Sequence, residues 1–145
     1  RRHFFRGVPS EGAAHQDVTW LHPDGSEIGG DQWGNGAAHA FGMLIDGSAT
    51  DEVDERGHAV CGDTLLLLFN GGEQQMTFNL PSLDGRQVWV KMVNTARHEP
   101  PAVDGSTVEV EAHSLMLLRL GAERRIVTSS DTRREPLSPV EQHTL

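Results

Sequence analysis

Two short runs in this chain are apolar at every position, and they restrict its fold more than any other feature. The runs are LLLLF at Leu65–Phe69 and LMLL at Leu115–Leu118. A strand that alternates apolar and polar residues needs cover on one face, whereas a uniformly apolar strand needs cover on both. A two-layer sandwich covers only the inner face of each sheet. We therefore expect a local loop, a partner or a further domain on part of one outer face.

Other segments alternate with the period of a β-strand, so that one face of each is dry and the other wet. They are Gln75–Leu80, Val88–Val93 and Val108–Glu111. In the first of these, Met76, Phe78 and Leu80 are expected to share one face. No segment carries an apolar stripe with helical spacing over three turns, so we expect helix to be minor, and a single short helical turn near residues 30–36 is compatible with this.

The residues between these segments are typical of tight turns. Gly71-Gly72 follows the first apolar run, and Asp84-Gly85 precedes the segment that begins at Val88. Such pairs supply the positive φ angles that short connections require. The predicted fold class is an all-β antiparallel β-sandwich of about six to eight strands, in which consecutive strands pair as hairpins.

The rest of the chain has little apolar character. Residues 46–56 read DGSATDEVDER, with five acidic residues in eleven, and are expected to form a solvated loop. We divide the chain into a connecting segment with the first strand (1–36), the β-sandwich (37–121) and a flexible polar tail without its own core (122–145). The chain starts at Arg1 without a methionine, so we interpret it as a piece of a longer protein.

Charge and cysteine content exclude several classes of function. The chain has 12 Lys and Arg against 21 Asp and Glu, a net charge of −9, which disfavours binding to nucleic acid or to anionic membrane surfaces. Its apolar runs of about five residues are far shorter than the roughly 20 residues of a membrane-spanning helix. A lone cysteine, Cys61, excludes an internal disulfide, and no secretion leader is visible, so we expect a cytoplasmic location.

No motif in the sequence indicates catalysis, a metal site or a cofactor. The eight histidines never fall at metal-ligand spacing, and Cys61 lies beside Asp63 without an electropositive setting. Gly-x-Ser-x-Gly is absent, and Gly34-Asn35-Gly36 lacks the Lys that a phosphate-binding loop needs. We predict no catalytic residue, no metal and no cofactor. Composition alone leaves open a small hydrolase that uses paired carboxylates.

The aromatic residues are candidates for an interaction surface. Trp20, Trp33 and Trp89 could form a platform on which sugars stack, but an aromatic content of 6% without tyrosine favours packing. We expect Phe4, Phe5, Trp20 and Trp33 to pack against another domain. In a separate chain this surface must stay exposed, drive self-association or be covered by a folded-back N-terminal segment. Replacing Phe4 and Phe5 with Ser should then weaken a dimer without unfolding the sandwich.

Seven phrases in fixed order resemble the C-terminal part of isoamylase-type glycogen debranching enzymes of the α-amylase superfamily. They span roughly residues 1–120 and read RRHFFRG, DVTWLHPDGSEIGGDQW, HAFGMLIDG, DEVDERG, DTLLLLFNGGEQQMTFNLP, WVKMVNTA and HSLMLLR. The chain departs from the family pattern at Gly29-Gly30 and at Gly34-Asn35-Gly36, next to Trp33.

This resemblance implies a parent enzyme that hydrolyses α-1,6 branch linkages in glycogen by a retaining mechanism on an eight-stranded α/β barrel. In the family, the nucleophilic Asp, the acid/base Glu and the stabilising Asp lie on that barrel, upstream of the matched phrases. The chain is then a noncatalytic β-sandwich whose partner is the catalytic barrel of its parent, with glycogen bound through the parent. The alternative is an independent α-glucan-binding module.

Overall fold

The computed structural model describes residues 5, 7, 16–34, 38–48, 53–82, 87–97, 103 and 105–122, and these residues form an all-β fold. One short 3-10 turn, Gln32–Gly34, lies in the region where such a turn is compatible with the predicted fold. The strands are β1 Val18–Leu21, β2 Ala40–Ile45, β3 Leu65–Asn70, β4 Met76–Asn79, β5 Gln87–Asn94, β6 Thr107–Val110 and β7 Ser114–Ala122. Phe4 and the predicted tail from residue 123 onward lie outside the described residues.

The strands form two antiparallel sheets, which confirms the predicted fold class. One sheet has five strands in the order β1-β2-β3-β7-β5, and the other consists of β4 and β6. Strands β3 and β7, which contain the two uniformly apolar runs, pair along their length at the centre of the large sheet. β3 is therefore bonded on both edges, to β2 and to β7.

The expectation that consecutive strands pair as hairpins is wrong after β3. The chain crosses there to the small sheet, where β4 pairs with β6, and β5 returns to the large sheet to pair with β7. The physical reason is that both edges of β3 are already occupied, so no edge is left for β4. Gly71-Gly72 therefore carries the chain between layers instead of reversing it, and Asp84-Gly85 lies outside the described residues.

The core lies between the inner face of the large sheet and the β4-β6 pair. Its most deeply buried side chains come from both layers: Phe78, Leu66, Leu68, Met116, Leu118 and Val110. Phe78 and Leu80 are buried as expected, but Met76 is 36% exposed, because it lies at the start of β4 beside an open groove. The alternation in the sequence therefore predicted the buried face correctly except at the strand end.

A buried amide joins the two sheets where β3 ends. Asn70 is 2% exposed, and its Nδ2 lies 2.8–3.0 Å from the carbonyl oxygens of Gln74, Val110 and Glu111. Its Oδ1 accepts a hydrogen bond from the backbone N–H of Gly72 at 3.0 Å. The side chain of Asn70 thus fixes both the crossover after β3 and the end of β6.

The loop between β2 and β3 is less solvated than its acidic composition suggested. Asp46 is 6% exposed, and its Oδ1 accepts hydrogen bonds from the N–H and hydroxyl of Ser48. The N–H of Gly62 donates to the carbonyl of Gly47 at 2.8 Å, and a Cβ on Gly47 would overlap the backbone of Gly62. The loop is therefore closed at its base. Its outer part, residues 53–60, is exposed as expected.

Asp54 organises this exposed outer part. Its Oδ1 accepts hydrogen bonds from the backbone N–H groups of His58 and Arg56 at 2.9 and 2.8 Å. These bonds, with that from His58 the strongest, hold the pKa of Asp54 below its ordinary value. An Asp with a lowered folded pKa stabilises its surroundings above the unfolded pKa and loses that effect as the pH falls through the folded pKa.

We predict that the amide NMR shifts of Arg56 and His58 titrate together at a pH below the ordinary pKa of an Asp side chain. Asp54→Asn keeps an acceptor oxygen that does not titrate, so this variant should lose the transition and keep the loop. A midpoint at or above the ordinary pKa in the unsubstituted chain would contradict the role given to Asp54.

We also predict that Asn70→Ala lowers the free energy of unfolding by about 2–4 kcal/mol, because it removes four hydrogen bonds that this buried side chain makes to the backbone. Asn79→Ala is the matched control: its Nδ2 donates one hydrogen bond, to the carbonyl of Asp24, at an exposed position. It should cost less than about 1 kcal/mol. Urea denaturation measures both, and equal losses would show that the Asn70 bonds do not hold the sheets together.

Candidate docking surface

The outer face of the large sheet is a continuous apolar surface. Side chains alternate along a strand, so the residues between the buried ones point away from the core. The registers align one apolar residue from every strand in a single row: Trp20, Met43, Leu67, Leu117 and Val93. A second row contains Phe41, Phe69 and Leu115, and a third contains Ile45, Leu65, Arg119 and Val90. We call these three rows the outer face.

The valines of β5 face outward, contrary to the usual pattern of a half-buried strand. Trp89 is 8% exposed and belongs to the inner core, whereas Val88, Val90 and Val93 are 42–44% exposed. The sequence predicted one buried and one solvent-exposed face for this strand, and the exposed face consists largely of valines. A register irregularity between Lys91 and Val93 interrupts the pairing of β5 with β7.

Four aromatic rings form a cluster at one corner of the outer face. Trp33, from the 3-10 turn, packs edge-on against Trp20 with ring centroids 5.2 Å apart, and it lies 6.2 Å from Phe41. Phe41 in turn stacks on Phe69 at 4.8 Å. The 3-10 turn therefore covers part of the outer face over β1 and β2, whereas the need for cover was inferred for the uniformly apolar strands β3 and β7. Trp33 itself remains 49% exposed.

The structure brings together two of the four residues predicted to pack against another domain, Trp20 and Trp33. Phe5 is 46% exposed, and Phe4 lies outside the described residues. Phe41 and Phe69 were missed by the sequence reasoning. The signal for Phe69 was present in the uniformly apolar run, whose odd positions had to face outward.

The ring geometry favours packing over a sugar platform for the tryptophans. Trp20 and Trp33 meet at an interplanar angle of 87°, the edge-to-face contact of packed aromatic clusters. The third tryptophan of the suggested platform, Trp89, is buried, and its Nε1 donates to the carbonyl of Pro81 at 2.9 Å. The three tryptophans therefore do not form one surface.

Arg119 is the one charged residue in the three rows of the outer face. Its Nη1 lies 3.7 Å from Oδ2 of Asp63, at the upper end of the range for an ion pair. The buried Nε of Arg119 has no hydrogen-bond partner among the residues that the structure describes. The side chain of Arg119 as a whole is 43% exposed, so an acceptor on a docked surface would pair with the exposed N–H groups of its guanidinium.

Other kinds of site find no support in the part of the chain that the structure describes. There, no three His, Cys, Asp or Glu side chains come close enough together to hold a metal ion. The described residues likewise include no helix with the length and apolar character needed to cross a bilayer. Cys61 is exposed and is a free thiol.

Comparisons with a family model and with individual proteins both relate this chain to proteins of one group. A family model described as "Isoamylase, C-terminal" matches residues 17–117. The chain is 32% identical over 127 residues to the "Glycogen operon protein GlgX homolog" of Mycobacterium bovis, and equally to the proteins of that description from two Mycobacterium tuberculosis strains. The match covers 82% of this chain but only 17% of each relative.

We predict that the separate chain self-associates through the outer face. Leu67→Lys places a charge in the middle row, where the lysine stem can lie along the surface, and should therefore yield a monomer that is still folded. Thr77→Lys is the control, because Thr77 is exposed on β4, away from the outer face. Sedimentation velocity over a range of concentrations distinguishes the variants. A wild-type chain that stays monomeric at high concentration would contradict the prediction.

Proposed function

Because this chain belongs to the isoamylase C-terminal domain family, we propose that it is a noncatalytic domain of a glycogen debranching enzyme and stabilises the catalytic domain by docking on it. The observation that carries this proposal is the outer face, with apolar residues aligned across all five strands. Large contiguous apolar surfaces are uncommon on monomeric soluble proteins and are typical of interfaces.

The parent enzyme is proposed to hydrolyse α-1,6 branch linkages in glycogen in the cytoplasm. Two findings support this. The chain spans 17% of the length of the relatives it matches, which leaves ample room for a catalytic domain, and the name of those relatives refers to a glycogen operon. In this proposal the partner of the chain is the catalytic barrel of the same polypeptide, and glycogen is bound through that barrel.

The docking residues are proposed to be Phe4, Phe5, Trp20 and Trp33, together with the row that contains Leu67 and the row that contains Arg119. Aromatic residues and arginine are enriched at interfaces, and a central charged group needs a partner when water is excluded. Arg119 is such a group, so we propose that a carbonyl or carboxylate of the catalytic domain accepts from the exposed N–H groups of its guanidinium.

A noncatalytic role agrees with the positions of the buried acidic residues. Retaining glycosidases need two carboxyl groups roughly 5–5.5 Å apart that flank a sugar-binding cleft. Asp17 and Asp46 are both buried, and each carboxylate accepts hydrogen bonds from the backbone: Asp17 from the N–H of Gly7, and Asp46 from that of Ser48. These carboxylates fix the backbone next to β1 and β2 through hydrogen bonds, so their role is structural.

The proposal is tested in the full-length enzyme that contains this chain. Leu67→Lys should lower the melting temperature of the whole enzyme by several degrees, because a charge would be buried at the junction with the catalytic domain. Branch hydrolysis should be lost earlier on heating, with KM nearly unchanged at low temperature. Thr77→Lys should leave both properties at their wild-type values.

The purified chain alone should release no linear chains from glycogen in a reducing-end assay, compared with a heat-killed control. Release above that control would overturn the noncatalytic role. A full-length Leu67→Lys enzyme that melts like wild type would separately overturn the docking role, so the two parts of the proposal can fail independently.

A further inference from the structure

A groove runs across one end of the sandwich, where β3 ends and β2 and β7 begin. It consists of two adjoining cavities of about 490 and 520 Å³, which share His39, Asn70, Gly71 and His113. Phe41, Phe69 and Leu115 line the first cavity, and Glu73, Gln74 and Met76 line the second. The groove is open to solvent, and its apolar wall is the second row of the outer face.

Backbone hydrogen bonds fix the two histidines on either side of a glycine pair. The N–H of Gly71 donates to the carbonyl of His39 at 2.8 Å, and the N–H of His113 donates to the carbonyl of Gly72 at 3.2 Å. A Cβ on Gly72 would lie 3.2 Å from Oδ1 of Asn70, so a side chain there would crowd the buried amide. The floor of the groove is thus bare backbone between two imidazoles.

The wall of the groove is held equally firmly. The N–H of Thr95 donates to the carbonyl of Leu115 at 3.0 Å, and the N–H of Leu115 donates to Oγ1 of Thr95 at 2.9 Å. Phe41 and Phe69 lie nearly parallel, with an interplanar angle of 24°. His113 has φ +50°, which few residues other than glycine adopt. A rigid site of this kind loses little conformational entropy when it binds a ligand.

The lining specifies the chemistry of a ligand. One wall is apolar and aromatic, while the other side offers imidazole, hydroxyl, amide and carboxylate groups that can donate and accept hydrogen bonds. Among the residues that the structure describes, no lysine or arginine lines either cavity, and the chain carries a net charge of −9, so an anionic ligand is disfavoured. A neutral ligand with apolar C–H faces and hydroxyl edges matches both sides, and an open, elongated groove suits a chain that extends beyond it.

We propose that this groove binds a short stretch of an α-linked glucan chain, held against Phe41 and Phe69 and hydrogen-bonded by His39 and His113. The proposal rests on the proposed function, which makes an α-glucan the polysaccharide that the domain meets. It assigns glucan contact to the end of the sandwich and leaves the tryptophans to packing. The domain would then hold a glucan chain near the catalytic domain without cleaving it.

The test measures binding of maltoheptaose by isothermal titration calorimetry, with cellohexaose as the β-linked control. The chain is used in the Leu67→Lys background, so that self-association cannot cover the groove. His39→Ala and His113→Gly should each weaken maltoheptaose binding at least tenfold, and glycine at 113 accepts the positive φ without strain. His58→Ala is the matched control, because His58 is exposed on the remote loop, and it should bind like the parent variant.

The proposal is overturned if maltoheptaose does not bind, if both histidine variants bind it unchanged, or if cellohexaose binds equally well. Circular dichroism of each variant verifies the fold. Should maltoheptaose fail to bind while Leu67→Lys still lowers the melting temperature of the full-length enzyme, only the groove proposal fails. Should binding occur without that loss of stability, the docking role fails and the groove stands.

Discussion

The pairing of β3 with β7 is the constraint on which the rest of this domain depends. Both strands are apolar on both faces, and their position at the centre of the large sheet means that each face must be covered. The β4-β6 pair covers the inner face with Phe78, Leu80, Val108 and Val110. On the outer face the described residues supply an aromatic corner but no second layer. One strand pairing therefore determines both where the core lies and where the domain needs a partner.

The sequence predicted the strands and the fold class, because alternation and uniform apolar runs report directly on how many faces of a strand are buried. It did not predict strand order, since turn residues such as Gly71-Gly72 suit a hairpin and a crossover alike. The burial of Asp46 was missed because composition counts charges and ignores the hydrogen bonds that satisfy them. The groove could not be predicted from the sequence either. His39 and His113 are distant in sequence, and only the crossover brings both to the lining of the same groove.

The buried amide of Asn70 links the two proposals. It anchors the crossover that separates the sheets, and the same crossover forms the floor of the groove between the histidines. The floor of the groove is thus built from the crossover that holds the sandwich together, while its apolar wall is one row of the outer face that the sandwich leaves uncovered. Stability of the domain and recognition by its groove are therefore coupled, whereas the other two rows of the outer face can change with the surface they meet.

The contact between Gly47 and Gly62 has a consequence for how this domain can vary. The loop between β2 and β3 leaves the sheet and re-enters it where these two glycines meet. The length of the loop beyond this contact therefore does not affect the strands. The entropy of closing such a loop rises only slowly with its length, by about 0.6 kcal/mol per doubling. Related proteins can therefore differ widely in this segment at little cost, and a foreign peptide or reporter could be grafted between the two glycines without altering the strands.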